Sequence, residues 1–88
     1  MQEPLWLVKE ALDEMHREQL VRHGGAQGTR DEGLLESAIA RPQQAFFYGT
    51  NDIVELAALY AHALCKNHPY IDGNKRTAFL AAYTFLGC

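Results

Sequence analysis

The stretch KNHPYIDGNKRTAF, residues 66–79, lies between two segments that are almost wholly apolar, IVELAALYAHALC (53–65) and LAAYTFLGC (80–88). It has to link two buried helices, and it carries His68, Asp72, Asn74, Lys75 and Arg76 within nine positions. Charged groups beside a core are unfavourable unless something pairs with them. Asp72-Gly73 is a turn pair, and Gly73 permits close approach of backbone to a ligand. The helix that starts there presents free N–H groups back into the loop, and its dipole favours an anion at that end. Lys75 and Arg76 occupy the same first turn, where each cation is disfavoured by about 0.3–1 kcal/mol. A bound anion reconciles the amides, the dipole and the cations. Phosphate suits the set, with arginine supplying a fork and lysine a point charge.

Asp72 adds a carboxylate beside that positive site, of the kind that binds Mg²⁺ together with substrate phosphates. His68 follows a helix expected to end at Asn67, ahead of Pro69, and a neutral imidazole there can take a proton from an attacking hydroxyl. A base, a metal ligand and a phosphate cradle together describe phosphoryl or nucleotidyl transfer. Plainer readings stand beside it on the residues alone: a satisfied loop histidine, a turn aspartate, a solvated Lys-Arg pair, or a basic helix start on a nucleic-acid phosphate.

Working outward, Ile53 to Lys66 reads as a central helix, capped by Asn51 or Asp52 and interrupted by Glu55 and His62 alone. Asn74 to Leu86 reads as the helix after the loop, with Phe79, Leu80, Tyr83 and Leu86 on one stripe and Gly87 as its stop. Upstream, Pro4 to about His23 has Leu5, Val8, Leu12, Met15 and Leu20 at helical spacing, opens on a proline suited to a first turn and stops at Gly24-Gly25. Trp6 is expected to be a core anchor, His16 and His23 to be surface groups, and His62 to be packed. A short helix from Asp31 to Ala40 is expected to stop before Pro42. QQAFFYGTND (43–52) then reads as a connection exposing Tyr48. No β pattern and no repeat occurs, so the fold class is all-α, a compact bundle of about four helices in a single domain over residues 1–88.

Composition sets the bounds. The 88 residues are 48% apolar and 22% charged with net charge −3, an ordinary globular balance without the basic excess of nucleic-acid or membrane-surface binders. A chain of this length buries roughly 60–65% of its unfolded surface, enough for a thin core. The two cysteines, Cys65 and Cys88, form no CxxC pair and no secreted framework. The acidic N-terminal stretch lacks the form of a signal peptide, and no apolar run reaches membrane-spanning length. A cytoplasmic setting is the expectation.

His68-Pro69-Tyr70-Ile71-Asp72-Gly73-Asn74-Lys75-Arg76 resembles the signature of the Fic/Doc superfamily, written HxFx(D/E)GNxR, with Tyr70 where phenylalanine is usual. A first helix ending in Gly-Gly, then RDEGLLESAIARPQ, then an apolar helix entering the loop, is similar to the death-on-curing (Doc) branch. The resemblance implies that His68 is the general base, that Asp72 holds Mg²⁺, and that Gly73 and Asn74 form an anion cradle while Lys75 and Arg76 contact phosphates of ATP. Phe47 and Tyr48 fall at the flap that aligns a target segment. AMP-transferring members carry Gly where Lys75 stands and a second Arg where Phe79 stands. Doc-like members share Asn-Lys-Arg and resemble kinases that modify a Thr of elongation factor Tu and stop translation. The implied function is therefore γ-phosphoryl transfer by a toxin held in check by a small antitoxin, with AMP transfer or an inactive binding module as alternatives. No inhibitory (S/T)xxxE(G/N) segment occurs. Doc-like proteins usually continue with further helices, so the expectation is a C-terminally truncated domain whose last helix leaves an apolar stripe open to dimerisation.

Overall fold

Asp31 and Asp52 each start a helix by accepting a backbone N–H: Asp31 Oδ1 from Leu34 at 3.0 Å, and Asp52 Oδ1 from Val54 at 2.8 Å. The computed structural model describes residues 2–87. Cys88 lies outside them, so a pairing with Cys65 does too, and Cys65 is a half-buried thiol. The helices are α1 (Lys9–His23), α2 (Glu32–Phe47), α3 (Ile53–Asn67) and α4 (Asn74–Gly87). The expected all-α, four-helix architecture is the one observed. α3 packs against both α2 and α4, while α1 packs on α4 and touches α2. Leu56, Tyr60 and Leu64 of α3 are fully buried with Leu12, Leu35, Ala78, Ala81 and Phe85, and they form the core. Among the described residues, no helix is long and apolar enough to cross a membrane.

Two boundaries differ from the sequence reading, each for a tertiary reason. Residues 4–8 are not helical, and α1 begins at Lys9. The Tyr60 hydroxyl accepts the Leu7 N–H at 3.0 Å, and Trp6 stacks on Phe85 with ring centroids 5.9 Å apart, so this segment is held as an apolar strap on α3 and α4. Leu5 and Val8, counted toward the helical stripe, point to solvent. α2 does not stop before Pro42 but runs on to Phe47. An interior proline removes a helix bond and costs about 3 kcal/mol, and burial of Pro42 and Ala45 in the body of the fold offsets it. The helix ends at Tyr48 and Gly49, the latter at φ 116°, so Phe47 is the last helical residue rather than part of a loop.

On α4 the buried row is Asn74, Thr77, Ala78, Ala81 and Phe85. The stripe read from sequence therefore faces mostly outward, as expected: Phe79 is 52% and Tyr83 74% exposed and Leu86 is exposed, while Leu80 packs against the core. Small residues face α3 because close helix packing leaves no room for large ones there. The histidines also exchange places with expectation. His16 is buried, because it falls on the Leu12–His16–Leu20 row of α1, and His62 is exposed on α3.

Tyr60→Phe keeps the ring but orphans the Leu7 N–H. We expect a loss of about 1–2 kcal/mol in urea unfolding, with faster hydrogen exchange at the Leu7 amide and unchanged exchange in the middle of α3.

Candidate active site

α3 ends at His68, which closes the helix by donating its N–H to Leu64 O at 3.3 Å and takes the left-handed conformation, φ 48° and ψ 57°. Six residues further on α4 begins, and its first helix-closing bond runs from Thr77 N–H to Gly73 O at 3.0 Å. The amides of Asn74, Lys75 and Arg76 therefore have no partner inside the helix. Between the two helix ends lies a cavity of about 390 Å³ lined by His68, Ile71, Asp72, Gly73, Asn74, Lys75 and Arg76. Gly73 turns the chain into it at φ 74°, a conformation that disfavours any side chain. Lys75 and Arg76 are exposed and form no ion pair among the described residues.

Two sets of contacts hold the loop. The Asn74 carboxamide accepts from Tyr70 N–H at 2.9 Å and donates to Tyr70 O at 2.8 Å, and its second N–H lies 3.4 Å from His68 Nδ1. At that length the last contact steers the ring without fixing its tautomer. Tyr70 itself is buried. Its ring stacks on His16 at 3.8 Å, and its hydroxyl donates to Asp13 Oδ1 at 3.0 Å. Asp13 also pairs with Lys9 at 2.7 Å, and His16 Nε2 meets Asp72 O at 2.8 Å. Burial, then the hydrogen bond to Asp13 and the negative charges of Asp13 and Glu32, push the Tyr70 phenol far above its ordinary value.

Asp72 is anchored rather than free. Oδ1 accepts from Gly73 N–H at 2.8 Å, and Oδ2 accepts from Ala26 N–H at 3.3 Å. A carboxylate held this way keeps lone pairs for a cation. No group of three or more His, Cys, Asp or Glu gathers for a metal among the described residues. That donor set does not make a protein-only metal cage, but it does fit Mg²⁺, which is usually held by one or two carboxylates plus substrate phosphates. The free amides, the unpaired Lys75 and Arg76 and the size of the cavity fit a phosphate chain.

All six loop residues named from sequence, His68, Asp72, Gly73, Asn74, Lys75 and Arg76, line this one cavity. Phe47 and Tyr48 do not. Tyr48, 93% exposed, borders a separate cavity with Arg41, Thr50 and Glu55 beside the first turns of α3. That is roughly 13–20 Å along the helix from His68. Sequence reasoning missed Asp13, His16 and Tyr70 as the loop's support, and Arg30, whose guanidinium binds Asn67 O and His68 O at 2.8 and 2.7 Å. A histidine and an aspartate set into or beside the buried row of α1 were the available signal for the first group. Arg30, a lone cation in a turn-rich loop, gave none.

This all-helical domain, with an imidazole, a carboxylate and open helix-start amides in one loop, is matched over residues 6–86 by the model of the Fic/DOC family; the chain belongs to that family. Among curated relatives, it is 48% identical over 69 residues to "Toxin Doc" of Mycolicibacterium smegmatis, covering 75% of this chain and 52% of the relative. It is 37% identical over 78 residues to "Protein kinase doc" of Escherichia phage P1, covering 88% of this chain and 62% of the relative. Both relatives are Doc proteins, which places the chain on the Doc side of the family. The chain spans between half and two-thirds of the length of these relatives.

Asn74→Ala leaves the buried N–H and C=O of Tyr70 unpaired, and we expect a loss of about 1–3 kcal/mol for each orphaned group. Asn74→Asp, which keeps the acceptor, should fall between it and wild type in urea unfolding. A second expectation concerns alkaline pH. The unfolded phenol ionises near pH 10, whereas folded Tyr70 stays protonated, so its contribution is complete below about pH 10 and is lost as pH rises further. Tyr60, raised by burial, and Lys9, raised by its hydrogen bond to Asp13, act in the same direction. Tyr70→Phe should therefore flatten, without abolishing, the fall in urea midpoint between about pH 8 and pH 11.

Proposed function

We propose that this chain carries the catalytic loop of a Doc-like toxin that transfers the γ-phosphoryl group of ATP to a protein hydroxyl, a Thr of elongation factor Tu, and so stops translation in the bacterial cytoplasm. The reading rests above all on one observation: His68 shares a cavity with three partnerless amides and two unpaired cations. The printed name of the phage P1 relative, a protein kinase, supports phosphoryl over nucleotidyl transfer.

The chemistry follows from the placement. Backbone N–H groups of residues 74–76, with Lys75 and Arg76, bind and orient the phosphate chain and offset the charge that builds on the transferring group. Asp72 would hold Mg²⁺, which supplies charge neutralisation between phosphates. An imidazole nitrogen of His68 accepts the proton of the target hydroxyl as its oxygen bonds to the γ-phosphorus. The bond from that phosphorus to the β,γ-bridging oxygen breaks, and ADP leaves. Phe79 stands where AMP-transferring members carry their second arginine, and it projects half-exposed from α4. No cation there clamps the far phosphates, which suits a nucleotide bound with its γ-phosphate toward the hydroxyl. Phe47 and Tyr48 serve the target, docking a segment extended along α3. About five residues at 3.3 Å each span the distance to His68. A small antitoxin whose tail folds on this protein is the fitting restraint.

Incubation with bacterial lysate and ATP labelled at the α or γ position tests the reading. Label from γ on a translation factor, reduced roughly 10²–10⁴-fold by His68→Ala, is expected. Label from α overturns the kinase reading in favour of AMP transfer, and no label from either, with His68→Ala like wild type, leaves a binding module.

A further inference from the structure

His68 is held against two local preferences. It is the one non-glycine residue at positive φ among those described, a region in which Cβ crowds the following carbonyl oxygen. It also precedes Pro69, whose ring pushes the preceding residue toward extended backbone. The ring contact to Asn74, at 3.4 Å, is too weak to impose such a geometry. The backbone contacts are not weak. Arg30 Nε–H donates to His68 O at 2.7 Å, Arg30 Nη2 donates to Asn67 O at 2.8 Å, and the Arg30 amide donates to Pro69 O at 2.7 Å. The Asp31 amide also donates to Pro69 O, at 3.1 Å. Three consecutive carbonyls at the negative end of α3 are thus taken by one dipeptide from the α1–α2 connection.

We infer that Arg30 is the positioning residue for His68, a guanidinium clamp that keeps the histidine left-handed so that its imidazole faces the phosphate cradle. Arg30 does not line the cavity, so its effect passes through the backbone and not through contact with nucleotide. Turning His68 back to extended geometry would move both carbonyls off the guanidinium and swing Cβ out of line with the start of α4. A fork is needed because the two acceptors are successive carbonyls. A lysine ammonium offers a point charge that favours the helix end without bridging both oxygens in a fixed plane. The surroundings of the dipeptide are equally committed, since the Asp31 side chain caps α2 and the Asn67 side-chain Nδ2–H donates to Leu34 O at 3.0 Å. The start of α2 and the end of α3 are therefore tied to each other by hydrogen bonds, and His68 is built on that joint.

The role of Arg30 in turnover rests on the proposed transferase reading; its control of His68 conformation does not. The test compares the whole chain with its Arg30→Lys, Arg30→Gln and Arg30→Ala variants. Expected is a kcat for γ-phosphoryl transfer lowered by about 100-fold in Arg30→Ala, KM for ATP held within about twofold, and partial recovery in Arg30→Lys. In parallel, the one-bond Cα–Hα coupling of His68, which separates positive from negative φ, should switch in Arg30→Ala and Arg30→Gln. A His68 that stays left-handed in folded Arg30→Ala or Arg30→Gln, or a loss that falls on KM with kcat intact, overturns the inference. If wild type transfers no label at all, the transferase reading fails while the coupling still decides what Arg30 does. Should Arg30→Ala not fold, Arg30→Gln and Arg30→Lys carry both measurements.

Discussion

The site depends on one carboxamide. Asn74 closes a pair of hydrogen bonds on both backbone groups of Tyr70, and this pins the loop after α3 onto the first residue of α4. The chemistry dictates the residue. Aspartate lacks the donor for the Tyr70 carbonyl, and glutamine is one methylene too long to hold the same ring of atoms. The remaining N–H of the same amide reaches toward His68, so the turn, the imidazole and the start of α4 share one support. A buried side chain that meets its hydrogen-bonding demands in this way rigidifies its surroundings, whereas a half-met one would loosen them.

Tyr70 supplies the second anchor, and its hydroxyl explains why a tyrosine stands where the family signature has phenylalanine. The ring fills an enclosed position against His16, and the hydroxyl, which would be a liability in an apolar pocket, finds Asp13. Asp13 in turn is neutralised by Lys9, and Lys9 reaches Glu32 at 3.5 Å. The departure from phenylalanine is thus matched by a polar line on α1 that receives it. His16 extends that line to the loop by meeting the carbonyl of Asp72. α1 has no residue in the signature, yet it is the wall against which the signature loop is set.

What could be read from the chain followed locality. Asp31 and Asp52 as caps, Gly24 as a stop and α3 as the central apolar helix rest on contacts within a few residues, and all were legible. The gathering of six loop residues into one cavity was legible too, because they lie within nine positions that a turn and a helix start hold together. Illegible features were those decided elsewhere in the fold. The non-helical Pro4–Val8 strap depends on a Tyr60 hydroxyl 53 residues from Leu7. Continuation of α2 through Pro42 depends on burial that outweighs a lost backbone bond. The open apolar stripe on α4 was legible from its spacing, but the inner row was not, because close packing on α3 admits the small Ala78 and Ala81, which carry little signal of their own.

The two helix ends that meet at His68 are treated oppositely, and this asymmetry gives the site its sign. At the end of α3, where the dipole is negative, the carbonyls of Asn67, His68 and Pro69 are all occupied by Arg30 and Asp31. At the start of α4, where the dipole is positive, the amides of residues 74–76 have no partner, and Lys75 and Arg76 add charge of the same sign. Had both ends been satisfied, the cavity would be electrically indifferent; had both been open, opposing dipoles would largely cancel across it. Closing the negative end alone leaves a net pull on anions at one wall. It also places an imidazole, the one side chain whose ordinary pKa lies near neutrality, at the boundary between the satisfied and unsatisfied ends. A chain whose overall charge is −3 thereby carries a locally positive wall without any basic excess in its composition.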